Sequence, residues 1–224
     1  MQAHFYLDKL YPLQDSVLRS MENLSTDFYL TGGTAISRAY FHHRYSDDLD
    51  FFVNASQTFS NQIDAIVNHL KSQFFDIKSG AKSESFHRLF ITKDEVVLKI
   101  DFVNDVPFRK GEPQPTSIFE RTDNVINILS NKISALSRDE PKDLSDILLI
   151  ARNTKFDWRE IIEDAKNKDL DVEEVERAKM IDEFVIERLS QVNWCSQINI
   201  VEAERHVKII AKDILLGRNN SLCL

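Results

Sequence analysis

In Leu30-Thr31-Gly32-Gly33-Thr34 a short apolar run ends on paired glycines, two of only five in the chain. Further on, Asp48-Leu49-Asp50-Phe51-Phe52 opens a second apolar run. Side chains of a strand alternate faces, so Asp48 and Asp50 share one face while Leu49, Phe51 and Val53 point into a core. Asp47 alternates away from that pair and reads as a strand-entry residue. Glycine lets backbone approach a ligand closely. A helix starting near Thr34 aims its free N–H groups and positive dipole end at the same place. The stretch therefore predicts a strand, a phosphate-cradling turn, a helix and an acid-bearing strand. Two adjacent carboxylates repel each other unless a cation lies between them. A hard dication such as Mg²⁺ takes carboxylate oxygens and leaves room for phosphates. A Gly-Gly pair alone is an ordinary turn, and an Asp-any-Asp alone is common. Their combination, with a helix between them and apolar strands on both sides, points to chemistry.

Two other stretches carry charge in a pattern. In Val97-Leu98-Lys99-Ile100-Asp101-Phe102-Val103 the apolar Leu98, Ile100 and Phe102 share one face, and Lys99 and Asp101 share the other. In Asn131-Lys132-Ile133-Ser134-Ala135-Leu136-Ser137-Arg138, then Pro141-Lys142-Asp143-Leu144-Ser145-Asp146, the acids stand at helical i,i+3 spacing, close enough to share a cation. This pattern also suits a solvated, salt-bridged helix pair. His42 and His43, side by side at a helix end, point apart by about 100° and are poorly placed to share a metal. Arg38, one turn into the helix after the glycines, is a weaker candidate for phosphate contact.

The string Tyr29-Leu30-Thr31-Gly32-Gly33-Thr34-Ala35, with His43-Arg44-Tyr45-Ser46 ahead of Asp48-Leu49-Asp50-Phe51-Phe52, resembles the AbiEii/AbiGii family of nucleotidyltransferase toxins within the polymerase-β-like superfamily. The resemblance is dense over residues 29–53, thinner at 98–103 and dense again at 131–147. It implies an α+β fold, a mixed sheet flanked by helices. Residues 1–118 would form the nucleotidyltransferase core, and 119–224 a helical region completing the nucleotide site. It also implies transfer of a nucleoside monophosphate from an NTP to an acceptor, with release of pyrophosphate. Asp48, Asp50 and Asp101 would be catalytic and hold two Mg²⁺ (or Mn²⁺) ions. Gly32, Gly33, Thr34, Arg44, Ser46, Lys132, Arg138, Lys142, Asp143 and Asp146 would bind the nucleotide, with Lys132 reaching the triphosphate. Expected partners are an RNA acceptor such as tRNA and a cognate antitoxin protein.

Composition narrows the setting. With 36 acidic against 28 basic residues the net charge is −8, and acids outnumber bases in both halves. Neither half is a basic nucleic-acid clamp, so an RNA acceptor requires a local cationic patch. Two cysteines are too few for a disulfide framework. No apolar run approaches the roughly 20 residues of a membrane span, and no signal peptide is evident, so a cytoplasmic protein is expected. Residues 4–24 have helical spacing, with Pro12 dividing or starting a helix. Strands are expected at 27–30, 48–53, 75–79, 86–92 and 95–103, the last two joined as a hairpin at Thr92-Lys93-Asp94-Glu95. Helices are expected at 34–42, 56–75, 122–137, 141–153, 158–167, 172–190 and 199–216, with Trp158 and Trp194 as packing residues. Two rival functions remain: a small-molecule nucleotidyltransferase of the antibiotic-modifying type, and a catalytically silent binding module.

Overall fold

The computed structural model describes residues 2–73 and 76–223. The chain divides into two compact units. The first holds residues up to Tyr40, Tyr45–Pro107 and Glu112–Asp123; the second holds Phe41–Arg44, Phe108–Gly111 and Asn124 onward. A single crossing at 118/119 is thus replaced by one after Asp123, and two short early segments join the second unit.

The first unit begins with helical turns at Gln2–Phe5 and Tyr6–Leu10 that lead into α1 (Tyr11–Glu22). Pro12 lies in the first turn of α1, where its missing N–H costs nothing. Strand β1 (Tyr29–Thr31) runs into α2, a turn at Gly32–Thr34 that continues as the wider π-helix Ala35–Phe41. Then come β2 (Leu49–Asn54), α3 (Phe59–Gln73), β3 (Asp76–Lys82), β4 (Phe86–Lys93) and β5 (Val96–Asp105). The helix end and strand start expected at 74–75 lie outside the described residues.

The sheet order is β1-β2-β5-β4-β3. Among the described strands β2 and β5 pair in parallel and the other strand neighbours pair antiparallel, so the sheet is mixed as expected. The β4–β5 hairpin turns on Asp94 and Glu95, both at positive φ, as a two-residue turn between right-twisted strands requires. The apolar positions expected from alternation face the core in the two middle strands: Leu49, Phe51 and Val53 of β2 are buried, as are Leu98, Ile100 and Phe102 of β5. Phe51 stacks on Phe102 at 5.4 Å, and Phe28 meets the same ring edge-on at 5.2 Å. Each such buried ring contributes about 1.5–3 kcal/mol. That packing anchors the middle strands and so fixes what their opposite face presents.

The second unit is helical: α4 (Val125–Ser134) with a 3₁₀ extension Ala135–Arg138, α5 (Pro141–Asn153), α6 (Trp158–Lys166), α7 (Glu174–Asp182), a 3₁₀ turn Ile186–Gln191 and α8 (Ile200–Leu215). Side-chain caps start three of these helices: Asn124 accepts from the Asn127 N–H, Asp157 from Arg159 and Asn199 from Glu202. The helix expected over 172–190 stops at Asp182. Acids at Asp182 and Glu183 oppose the negative end of its dipole, and Lys208 Nζ donates to the freed Asp182 carbonyl at 2.6 Å. Trp158 is fully buried against Phe156, as expected of a packing residue. Trp194 is only half-buried.

Candidate active site

In the first unit the register lines polar residues up across four strands. Thr31 of β1 pairs with Asp50 of β2, Asp50 with Asp101 of β5, and Asp101 with Arg88 of β4. Asp48 lies two residues before Asp50 and Lys99 two before Asp101, so both join the same face. The three acids singled out from the sequence are therefore brought together by strand pairing.

Their partners are cations that sequence reasoning had not assigned to the site. Arg88 Nε and Nη2 donate to Asp101 Oδ1 and Oδ2, each at 2.7 Å, in a forked pair. Lys99 Nζ is 2.7 Å from Asp48 Oδ2 and 3.9 Å from Asp101 Oδ2. The Arg88 guanidinium holds its proton more tightly than usual. The hydrogen bonds to Asp101 are the main cause; partial burial opposes it, and the charges of Asp101, Asp48 and Asp50 add to it. One electrostatic cluster of three carboxylates and two cations thus lies on the sheet. Lys99 was legible, since it shares the Asp101 face by alternation. Arg88 was legible only as the outward residue between buried His87 and Leu89; its partner depended on the hairpin register.

Gly32 closes the other side. Its φ of +67° favours glycine, and a Cβ there would run into Asp50 Oδ2 and lie 3.1 Å from Asp50 Cγ. The turn expected to cradle a phosphate therefore abuts the central carboxylate, with Gly33 and Thr34 forming the first helical turn behind it. That turn starts a helix, whose first N–H groups have no intrahelical acceptor. The Thr34 hydroxyl donates to the Asp48 carbonyl and is 2.9 Å from Ser46 Oγ. Ser46 is buried, and its N–H donates to the Tyr11 hydroxyl. Gln14 Nε2 donates to the Ser46 and Asp47 carbonyls, and the Tyr6 hydroxyl to Asp47 Oδ1 at 2.6 Å. Thr34 and Ser46 act here as braces for the backbone that carries Asp48. Arg38 donates to Gln14 and Asp15 and lies over the Tyr11 ring, so it ties α2 to α1.

The remaining expected nucleotide contacts gather in the second unit. Arg44 Nε and Nη2 donate to Asp146 Oδ1 and Oδ2 at 2.7 and 2.8 Å. Lys132 Nζ is 2.7 Å from Asp143 Oδ1 and 2.8 Å from Asp146 Oδ2. His43 Nε2 donates to Asp146 Oδ1 at 2.9 Å, and Arg138 Nη2 to Asp143 Oδ2 at 2.8 Å. Burial would raise the Asp146 carboxyl, but Arg44 and Lys132, with the His43 and Arg44 hydrogen bonds, hold it well below the usual carboxylate range. Lys132, Arg44, Asp143 and Asp146 are all buried. Lys132 was expected to offer its charge to a triphosphate; instead its ammonium bridges two aspartates of α5. Lys142 is exposed on the same helix.

Asp48 and Asp50 offer the hard oxygen donors that a dication takes. Asp101 has both oxygens on Arg88, so it becomes a donor only when that fork opens. Among the described residues no three His, Cys, Asp or Glu side chains are gathered closely enough to hold a metal ion. The donor set fits the ion in kind, with Arg88 and Lys99 as its competitors.

Residues 16–206 match the family described as nucleotidyl transferase AbiEii toxin, type IV toxin–antitoxin system. The chain belongs to that family. An uncharacterized protein of Aquifex aeolicus (strain VF5), aq_aa25, is 27% identical over 174 residues, 71% of this chain and 76% of that protein. Among solved structures, JHP933 from Helicobacter pylori has a TM-score of 0.64 at 19% identity, covering 92% of this chain and 90% of its own. A second H. pylori structure, described as a candidate nucleotidyltransferase, has a TM-score of 0.64 at 20% identity, covering 92% and 95%. These structures share the α+β fold. Among the described residues no helix is long and apolar enough to cross a membrane.

Proposed function

We propose that this AbiEii-family chain transfers a nucleoside monophosphate from an NTP to a hydroxyl of an RNA, releasing pyrophosphate, as the toxin of a cytoplasmic toxin–antitoxin pair. The observation that carries the reading is the row Thr31, Asp50, Asp101 and Arg88 across four strands, with Gly32 tight against Asp50. Asp48 and Asp50 would hold a Mg²⁺ or Mn²⁺ ion, which would supply positive charge for phosphoryl oxygens and acidity for a hydroxyl. The Gly32 turn leaves backbone room for a phosphate beside Asp50. Arg88 and Lys99, which pair with the acids here, are the cations on the same face that can turn to phosphate oxygens. Once released by Arg88, Asp101 is placed to accept the hydroxyl proton.

The test incubates the protein with labelled NTPs, Mg²⁺ and total cellular RNA. Label should enter RNA with wild type and not with Asp50→Asn. Each phosphate contact releases counterions, so transfer at saturating NTP should fall steeply with salt. Near wild-type transfer by Asp50→Asn would remove the acid assignment. A flat salt profile, or activity only on a small hydroxylated compound, would move the acceptor from RNA to a small molecule. Absence of any metal-dependent NTP binding would identify a silent binding module.

A further inference from the structure

The outward face of the sheet carries a second row beside the acids, within the first unit. Strand register sets Tyr29 of β1 against Phe52 of β2, Phe52 against Val103 of β5, and Val103 against Phe86 of β4. Each lies two residues along its strand from Thr31, Asp50, Asp101 or Arg88, so the two rows share one face, about 6–7 Å apart. Tyr29 is buried, whereas Phe52, Val103 and Phe86 are half-exposed. Neighbouring strands are about 4.7–4.9 Å apart, so Phe52 and Phe86 stand roughly 9–10 Å apart with the smaller Val103 between them. The core lies on the other face, where Phe51 stacks on Phe102. Two rings left partly in solvent away from that core form a surface suited to a partner.

Cations alternate with the rings. Along β4 the outward residues run Phe86, Arg88, Phe90, all half-exposed, and the Arg88 guanidinium carbon is 5.3 Å from the centre of the Phe86 ring. Phe90 pairs with Lys99 on one side and with exposed Lys78 on the other. Gly80 leaves room for this row: a Cβ there would lie 2.9 Å from Phe90 Cε2 and 3.2 Å from Arg88 Cγ. Ring faces that stack bases, interleaved with cations that neutralise phosphates, are the contacts a single nucleic-acid strand uses. A duplex hides its base faces, and an apolar peptide makes no use of the cations.

Direction along the strands separates two substrates. β1 runs antiparallel to β2 and turns away at Gly32, on the Asp48 side of Asp50, while Phe52 lies on the other side. In phosphoryl transfer the attacking and leaving oxygens stand roughly in line. With NTP phosphates at the Gly32 turn, the attacking hydroxyl comes from the Phe52 side. We propose that Phe52 and Phe86 are a stacking platform for the RNA acceptor, holding the face of a base beside the acid row. The direction of approach rests on the reading of that row as a nucleotidyl-transfer site.

The test follows fluorescence anisotropy of a short mixed-sequence RNA, labelled with fluorescein at its 5′ end and titrated with the full chain in EDTA without NTP. The single strand should bind saturably, and more tightly than the same strand annealed to its complement. Phe52→Leu and Phe86→Leu keep apolar bulk and lose the ring. Each should weaken single-strand binding about tenfold, the loss expected when one base is no longer stacked. Phe52→Tyr and Phe86→Tyr keep the ring and should bind as wild type does. Mg²⁺-dependent NTP affinity, read by calorimetry, should be unchanged in the leucine variants. The proposal is overturned by absence of saturable RNA binding, by equal binding of the duplex, or by RNA affinity unchanged in both leucine variants. A loss that falls on NTP instead would also overturn it, placing the incoming base on the rings. Failure of the transfer reading is a different result: wild type that binds no NTP with Mg²⁺, while RNA affinity in EDTA still decides the role of the rings.

Discussion

Asp146→Asn tests whether the second unit's charged network is a structural keystone. Asp146 is fully buried and receives the Arg44 fork, Lys132 and His43 within 2.7–2.9 Å. The substitution keeps the shape and removes the charge, leaving Arg44 without its forked carboxylate and Lys132 with Asp143 alone. Breaking a buried pair in this way costs about 3–5 kcal/mol. For a chain of this size, each kcal/mol lowers Tm by about 2–4 °C. The expected drop is therefore on the order of 6–20 °C, read by circular dichroism at neutral pH. The pH dependence adds a second readout. The folded carboxyl titrates below its unfolded value, so as pH falls the unfolded chain takes up the proton first. Stability from Asp146 is thus fully present above about pH 4, the unfolded carboxyl range, and is lost as pH falls toward the folded pKa. The gap between wild type and variant should stay constant above that pH and close below it. A variant that melts within about 1 kcal/mol of wild type, or a gap that persists in acid, would refute the reasoning. Unchanged melting with lost NTP affinity would return these residues to the role of nucleotide contacts.

Gly32→Ala should cost about 1–2 kcal/mol for the left-handed backbone, and more because the new Cβ displaces the Asp50 carboxylate. Chemical denaturation measures the loss, and a neutral or stabilising result would contradict the close approach. Lys99→Met removes the cation 2.7 Å from Asp48, so Mg²⁺ should raise Tm more in the variant than in wild type, because the ion gains a site without a competitor. Equal Mg²⁺ gains would show that Lys99 does not compete for that carboxylate.

Legibility followed distance along the chain. The faces of β2 and β5 could be read because strand alternation is local, and Asp48, Asp50 and Asp101 emerged on the face expected of them. The glycine turn could be read as well, although the constrained residue is Gly32, whose φ and contact with Asp50 no local rule supplies. The pairing of Arg88 with Asp101 depended on hairpin register. Arg44 and Asp146 are 102 residues apart, and nothing local shows that Arg44 and Lys132 would neutralise the acids of α5 and not remain at the surface. The end of α7 was missed because its helical period continues past Asp182, while the cap comes from Lys208 on another helix.

The two early segments that belong to the helical unit have a consequence for the growing chain. His43 and Arg44 leave the ribosome long before the carboxylate that completes them: Asp146 follows Arg44 by 102 positions, which take about 5–20 s to translate at 5–20 residues per second. Through that interval a histidine and an arginine destined for burial stay hydrated while β2 to β5 can already pair with one another. The sheet can assemble during synthesis, but the helical unit cannot close until its oldest residues meet Asp146 of α5. Truncated chains ending before α5 should therefore carry a formed sheet and an open, protease-sensitive 41–44 segment.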